Sequence, residues 1–276
     1  MTPSASIRMS ESSTDKSLAR DGAESPISKA LVVLDAVAQS SKPLRFMALC
    51  KQLPYPKATL HRLLRLLTEE RMLLYDSASQ TYRAGSRLIR MAYASWNSSG
   101  LVESASPVMD RLSKSIPETL ELAQLDGGQV LYLDRRTANV TSPSFSGAGK
   151  VGPAYCTAIG KAMLSFLDDA ALAGMLPKQA FHRFTPNTPE NASELAAELD
   201  DTRARGFAVE REEHEYGVIA VAVPIRLSEG PLYGALSLTG TVYHTSPEAL
   251  ESHLPALKAA AQEIARGAQM RMTRCL

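Results

Sequence analysis

The chain has 276 residues, 45% of them hydrophobic and 21% charged, with a formal net charge of +1. That length suits two domains of ordinary size, with real apolar cores. No apolar run approaches the ~18 residues that span a bilayer and no signal peptide is legible, which argues against a membrane protein and sets a cytoplasmic location as the expectation.

Residues 1–25 are polar, with seven serines, and are expected to form a disordered tail. From Pro26 a helical period begins: Ile27, Ala30, Leu31, Leu34 and Val37 share one face. Ser25 is its N-cap and Pro26 its first turn. LRFMALCKQL reads as a short second helix, broken by Pro54. In PYPKATLHRLLRLLTEE, Leu60, Leu63, Leu64 and Leu67 recur at i, i+3, i+4 and i+7, a narrow apolar seam. Lys57, Thr59, His61, Arg62 and Arg65 are left on the other side, all of them donors suited to phosphates and base edges. RMLLYDSASQTYRAG then reads as a hairpin turning between Asp76 and Gln80. Helix, helix, turn, basic helix and hairpin together predict a winged helix-turn-helix domain over residues 26–85.

Charge sharpens this locally. Residues 26–90 carry 11 Lys/Arg against 4 Asp/Glu, whereas residues 91–276 carry 16 against 21. A basic head on an acidic body is the footprint of a nucleic-acid module joined to a differently employed domain. Its partner is expected to be double-stranded DNA, read by Arg45, Lys57, Ala58, Thr59, His61, Arg62, Arg65, Tyr82 and Arg83.

SRLIRMAYASW predicts a linker helix over residues 86–100. Trp96, the single tryptophan, is there either a dimer contact or a residue packed on its own second domain. LVESASPVMDRLSKSI begins another helix near Pro107. The remainder, residues 101–276, has α+β texture. ETLELAQLDGGQVLYLDRR is a hairpin joined at Asp126-Gly127-Gly128, and VTSPSF is a further strand candidate. AIGKAMLSFL is a short helix from Thr157 or Ala158. NTPENASELAAELDDTRARG is a helix capped by Thr188 and stopped by Gly206. FAVER, VIAVAVPIR and PLYGALSLTG are strands, and one long helix from Pro247 to Gln269 closes the chain. A mainly antiparallel sheet covered by helices, large enough for a small-molecule pocket, is the expected architecture.

Several motifs do not carry their usual chemistry. GAGKVG matches GxGxxG in form, but Pro153 follows and no βαβ unit surrounds it. Gly160-Lys161 lacks the first glycine and the Ser/Thr of a phosphate loop. EREEHEYG, around His214, reads as a solvated acidic loop in preference to a metal site. Cys50, Cys156 and Cys275 are too widely spaced for a disulfide framework or a CxxC pair. No metal or cofactor is expected. A hydrolase using Cys156 and His214 is the rival function from another class, although nothing local marks an activated thiolate.

The order of these segments resembles the IclR family of bacterial transcription regulators: the PKATLHRLLRLL helix, a wing ending in YRAG, a linker helix, then TAIGKAML, GFAVEREEHEYGVIAVAVPI and GALSLTG. The resemblance covers nearly everything from Pro26 to Gln269. It implies an N-terminal winged helix-turn-helix, a C-terminal effector domain of GAF-like fold, and a homodimer or homotetramer that represses or activates a promoter in response to a metabolite. It also implies an effector site. Backbone N–H groups of Ala158 and Ile159 would hold a carboxylate, Ser237 and Thr239 would supply strand hydroxyls, and Glu210 would stand where relatives carry aspartate and accept a hydrogen bond from the ligand. Ala220 stands where many relatives have cysteine, leaving a slightly roomier pocket suited to a small hydroxy acid, semialdehyde or lactone-derived effector. Phe145, Tyr155 and Tyr233 could line a site for aromatic acids, or be core.

Overall fold

The structure, a computed structural model, describes residues 25–98, 100–137, 147–227 and 230–274, and the side chains of all of these except 96–98 and 272–274. It divides into two compact units, one ending at Ala94 and the other starting at Ser95. That division falls inside the segment read as the linker.

The first unit is built from α1 (Pro26–Ala38), β1 (Leu44–Arg45), α2 (Phe46–Gln52), α3 (Lys57–Glu69), β2 (Leu73–Asp76), β3 (Thr81–Ala84) and the start of α4 (Ser86–Ser98). Ser25 caps α1 by accepting the Ser28 N–H at 3.0 Å, with Pro26 in the first turn. The leucine seam of α3 does what its spacing predicts: Leu60, Leu63, Leu64 and Leu67 are buried against Val33, Leu34, Val37 and Leu49. Each such side chain contributes on the order of 1.5–3 kcal/mol on leaving water. β2 and β3 form the hairpin wing, and β1 adds on the far side of β3, giving the antiparallel order β1-β3-β2. The wing's turn is fastened by Asp76, whose carboxylate accepts from Ala78 N–H and Ser79 Oγ.

The second unit comprises α5 (Gly100–Leu112), β4 (Thr119–Asp126), β5 (Gln129–Arg136), β6 (Val151–Pro153), α6 (Ala158–Leu164), α7 (Asp169–Met175), α8 (Ala192–Arg205), β7 (Ala208–Arg211), β8 (Val218–Arg226), β9 (Leu232–Thr241), α9 (Pro247–Ser252) and α10 (Leu254–Arg274). Its sheet has the order β6-β5-β4-β9-β8-β7, antiparallel throughout. The β4–β5 turn is Gly127-Gly128, both at positive φ, the conformation a two-residue hairpin demands and glycine supplies without strain. α5 and α10 pack on one face of the sheet, and α6 with α8 on the other.

Three sequence expectations shift. The helix expected near Pro107 starts at Gly100 and carries the proline inside it. α8 is capped by Asn191, which accepts from the Ser193 and Glu194 N–H groups, not by Thr188. Thr188 is buried and instead fastens a loop, accepting from the Thr185 N–H and donating to the Glu213 carbonyl. The closing helix is two helices, broken at His253, because Pro255 fits a first turn far better than a helix interior. VTSPSF, Phe145 and the side chain of Trp96 lie outside what the structure describes.

Candidate functional site

The first candidate surface is α3. Its seam leaves Lys57, Ala58, Arg62 and Arg65 exposed on the opposite side. The N-cap is Pro56, which offers no side-chain acceptor. First-turn N–H groups, those of Ala58 and Thr59 among them, are therefore available to a phosphate, which the helix dipole also favours. Arg62, one turn on, points the same way. Toward the helix end the charge balance reverses, with Arg65 lying 3.9 Å from Glu69, so the unpaired positive charge of α3 is concentrated in its N-terminal half. Arg45 is exposed where β1 meets α2, and Arg83 is exposed on the wing.

Three of the sequence-derived DNA residues pack partly within the head, His61 while remaining exposed. Thr59 is half-buried, turned toward the flank of the seam. His61 packs edge-on against Phe46, with ring centroids 6.0 Å apart, and helps line a shallow hollow with Arg65, Thr68, Tyr75 and Tyr82. Tyr82 occupies the central strand, its ring 4.8 Å from that of Tyr75 and packed on the head's core. It supports the wing instead of reaching from it.

The second candidate is one face of the six-stranded sheet. Side chains alternate along strands, and register carries the alternation across the sheet. On the α5/α10 face one row runs Leu120, Leu238, Val221, Val209 and the next Leu122, Leu236, Val223. On the α6/α8 face the corresponding rows are Thr119, Thr239, Ala220, Glu210 and Arg135, Glu121, Ser237, Ala222, Ala208. The same strands thus build a branched-aliphatic core on one side and a floor of small and polar side chains on the other.

Close packing continues above the floor. α6 lies so close to the chain before it that a Cβ on Gly160 would stand 2.4 Å from the Ala154 backbone. Packing does not explain the carboxylates. Glu121 and Glu210 are only 4% and 5% exposed, and burying an ionisable group without reason is costly. Glu121 Oε2 accepts from Ser237 Oγ at 3.2 Å and from Thr239 Oγ1 at 3.0 Å. Glu210 Oε2 accepts from the Ala158 N–H at 3.1 Å. Burial pushes the Glu210 carboxyl up to about 8, with that N–H pulling the other way and Glu213 and Glu121 adding to the rise. The amide expected to hold a ligand carboxylate therefore already carries the protein's own acid.

Behind the floor, Lys161 is buried on α6 with its ammonium 2.5 Å from Glu213 and 2.6 Å from Glu198. Burial disfavours the ammonium, but the two acids outweigh it and the pKa rises. Glu213 also accepts from the Arg211 N–H at 3.1 Å. The EREEHEYG segment is thus no solvated acidic loop: two of its acids are buried and tied to α6. Aromatic side chains bound the region as well. Tyr155 is fully buried, donates to the His182 carbonyl at 2.8 Å and packs on Phe181. Tyr132 lies on the same face, next to Ala123 in register. Tyr233 packs with the opposite, aliphatic face, so it cannot line the same pocket as Tyr155.

Sequence reasoning named Ser237, Thr239, Glu210, Ala220, Ala158 and Ile159, and all six reach the α6 side of this sheet. It passed over Glu121, Tyr132 and Lys161. Glu121 did leave a signal, a charge between two leucines in TLELA, where the alternation places it beside Thr119 and Ala123. Cys156 is fully buried, and burial together with Glu210 and Glu213 pushes its thiol far above the ordinary range. That is the reverse of an activated nucleophile, so the hydrolase alternative has no support.

Comparison with known proteins finds relatives of both parts of the chain. The IclR helix-turn-helix domain model matches residues 26–77, and the bacterial transcriptional regulator IclR C-terminal model matches residues 93–266. The chain belongs to the IclR family of transcriptional regulators. It is 31% identical to the regulator BhcR of Paracoccus denitrificans over 241 residues, covering 87% of this chain and 86% of that protein. The crystal structure of the Thermotoga maritima IclR superposes with a TM-score of 0.71 at 26% identity, covering 88% of this chain and 98% of that one. That of the repressor BlcR of Agrobacterium tumefaciens does so with a TM-score of 0.55, also at 26% identity, covering 88% and 96%. This member is a DNA-binding transcriptional regulator with an N-terminal helix-turn-helix and a C-terminal effector domain. Among the described residues no helix is long and apolar enough to cross a membrane.

Proposed function

We propose that this IclR-family regulator is the repressor of a catabolic operon, released from its operator by a small hydroxy acid, semialdehyde or lactone-derived effector seated on the α6 face of the sheet. One observation carries the reading: Glu121, Glu210, Ser237 and Thr239 are gathered on a floor of alanines, on strands whose other face is plain aliphatic core. The related Agrobacterium protein BlcR is a repressor, which supports the sign of regulation. Two chains pair, as a homodimer or within a homotetramer, and set their recognition helices in successive major grooves about 34 Å apart. Lys57 and the first-turn N–H groups anchor phosphate, Arg62 reaches base edges, and Arg45 and Arg83 hold the flanking backbone. A ligand carboxylate arriving at Ala158 and Ile159 displaces Glu210. Release follows only to the extent that the effector prefers the non-binding state.

Footprinting on the promoter upstream of the protein's own coding sequence, repeated with a panel of short hydroxy acids, semialdehydes and lactones, tests this reading. A protected palindromic site that opens with at least one member is the expected result. Arg62→Ala should weaken that footprint by roughly tenfold or more without changing the effector response. Undiminished protection would remove Arg62 from the interface.

A further inference from the structure

The orientation of two hydroxyls says what kind of effector the floor accepts. Ser237 and Thr239 stand at i and i+2 on β9, sharing a face, and both donate to one oxygen, Oε2 of Glu121. Two donors converging on a single oxygen define that oxygen as an acceptor. Each hydroxyl carries one proton, and both protons are spent in this way. What Ser237 Oγ and Thr239 Oγ1 present to the rest of the site is lone pairs. Glu121 is held to this arrangement by the sheet itself, since it is in register with Ser237 on one side and Arg135 on the other. Thr239 is half-buried while Ser237 is buried, so the pair runs from the protein's edge inward along one strand. Within the Glu121–Ser237–Thr239 cluster, the hydroxyl atoms left to face a guest are acceptors.

We infer that Glu121 sets the effector class by locking Ser237 and Thr239 as hydrogen-bond acceptors, so that the effector is a hydroxylated acid whose hydroxyls donate to them, and not the corresponding oxo or deoxy acid. A ketone oxygen placed there meets lone pairs, and a methylene leaves the buried Ser237 oxygen and the half-buried Thr239 oxygen without a donor. Sites that hydrogen-bond a ligand hydroxyl discriminate strongly against analogues lacking it. The inference rests on the floor being the effector site.

The test is calorimetry on the full-length protein with matched pairs: lactate against pyruvate, 3-hydroxybutyrate against acetoacetate, and gluconate against hexanoate. In at least one pair the hydroxylated member should bind at least roughly tenfold tighter than its partner. Glu121→Gln makes the discriminating change. Its amide NH2 donates where the carboxylate accepted, so Ser237 and Thr239 can turn their protons toward the ligand, and preference should move toward the oxo acid. Ser237→Ala should weaken the hydroxylated member. Equal or tighter binding of oxo and deoxy acids by the wild type, with Ser237→Ala still weakening them, overturns this inference alone. A uniform loss for both members of a pair in Glu121→Gln, marking a merely structural residue, also overturns it. No binding of any hydroxylated acid overturns the inference alone, whereas binding that is indifferent to Ser237→Ala overturns it together with the effector site.

Discussion

The two faces of the six-stranded sheet are made by the same strands and differ in almost every other respect. On the α5/α10 side, Leu120, Leu122, Val221, Val223, Leu236 and Leu238 interdigitate as an ordinary core. On the α6/α8 side, alanines alternate with carboxylates and hydroxyls whose hydrogen bonds are specific and few. The first face contributes stability by volume and apolar area, and it tolerates change so long as volume is kept. The second gives up that contribution and holds buried charge, as sites that must recognise a ligand do. One sheet thus divides its labour by strand parity alone.

Four substitutions would sharpen or break that contrast. The largest effect is expected at Lys161, which serves the polar side from beneath. Lys161→Met strands Glu213 in the interior and should cost about 3–5 kcal/mol, most of it recovered in the double variant Lys161→Met/Glu213→Leu. Chemical denaturation of the three proteins would show this, and a double variant no more stable than the single one would mean that packing, not charge, is at stake. Next, Leu236→Ala on the aliphatic face should cost about 2–5 kcal/mol in the same assay while leaving effector affinity within twofold. A smaller loss, about 1–3 kcal/mol, is expected for Ala222→Val on the polar face, yet effector affinity should fall along with it because the floor is filled. Equal effects of the last two on ligand binding would erase the distinction between the faces.

The smallest and most diagnostic effect is a pH slope. The folded-state pKa of Glu210 is about 8 against an ordinary 4.5, so the folded protein holds this proton more tightly than the unfolded chain. The resulting stabilisation is complete below about 4.5 and is lost as pH rises through about 8, at up to about 1.4 kcal/mol per pH unit. Thermal melts of wild type and Glu210→Gln between those values should diverge with that sign, the variant being flatter. Parallel curves would show that Glu210 does not stay buried in solution.

Much of the head could be read directly from the residues. The leucine period of α3, the Ser25-Pro26 start of α1 and the wing's polar turn are local signals, each decided within a few residues of chain. The DNA-facing set was less secure because helical period alone does not say which flank of a seam meets a neighbour. Thr59 went to the flank and Tyr82 to the hairpin's core. In the body, strand positions followed from composition. VIAVAVPIR, however, looks uniformly apolar until Ile219, Val221, Val223 and Ile225 are separated from Ala220 and Ala222. That large–small alternation was present in the sequence as the trace of the two faces.

What the sequence by itself determined is everything set by short-range periodicity and by charge along the chain: a basic winged head, an acidic α+β body, the recognition helix and the strands that carry Ser237, Thr239 and Glu210. The tertiary structure decided which atoms those side chains spend their hydrogen bonds on. Glu121 is 116 residues from Ser237 and Lys161 is 52 from Glu213, separations at which no local pattern registers a pairing. Register of β4 against β9 makes the first pair, and the packing of α6 against the sheet makes the second. Burial then gives each polar group so few partners that the choice of donor and acceptor becomes fixed.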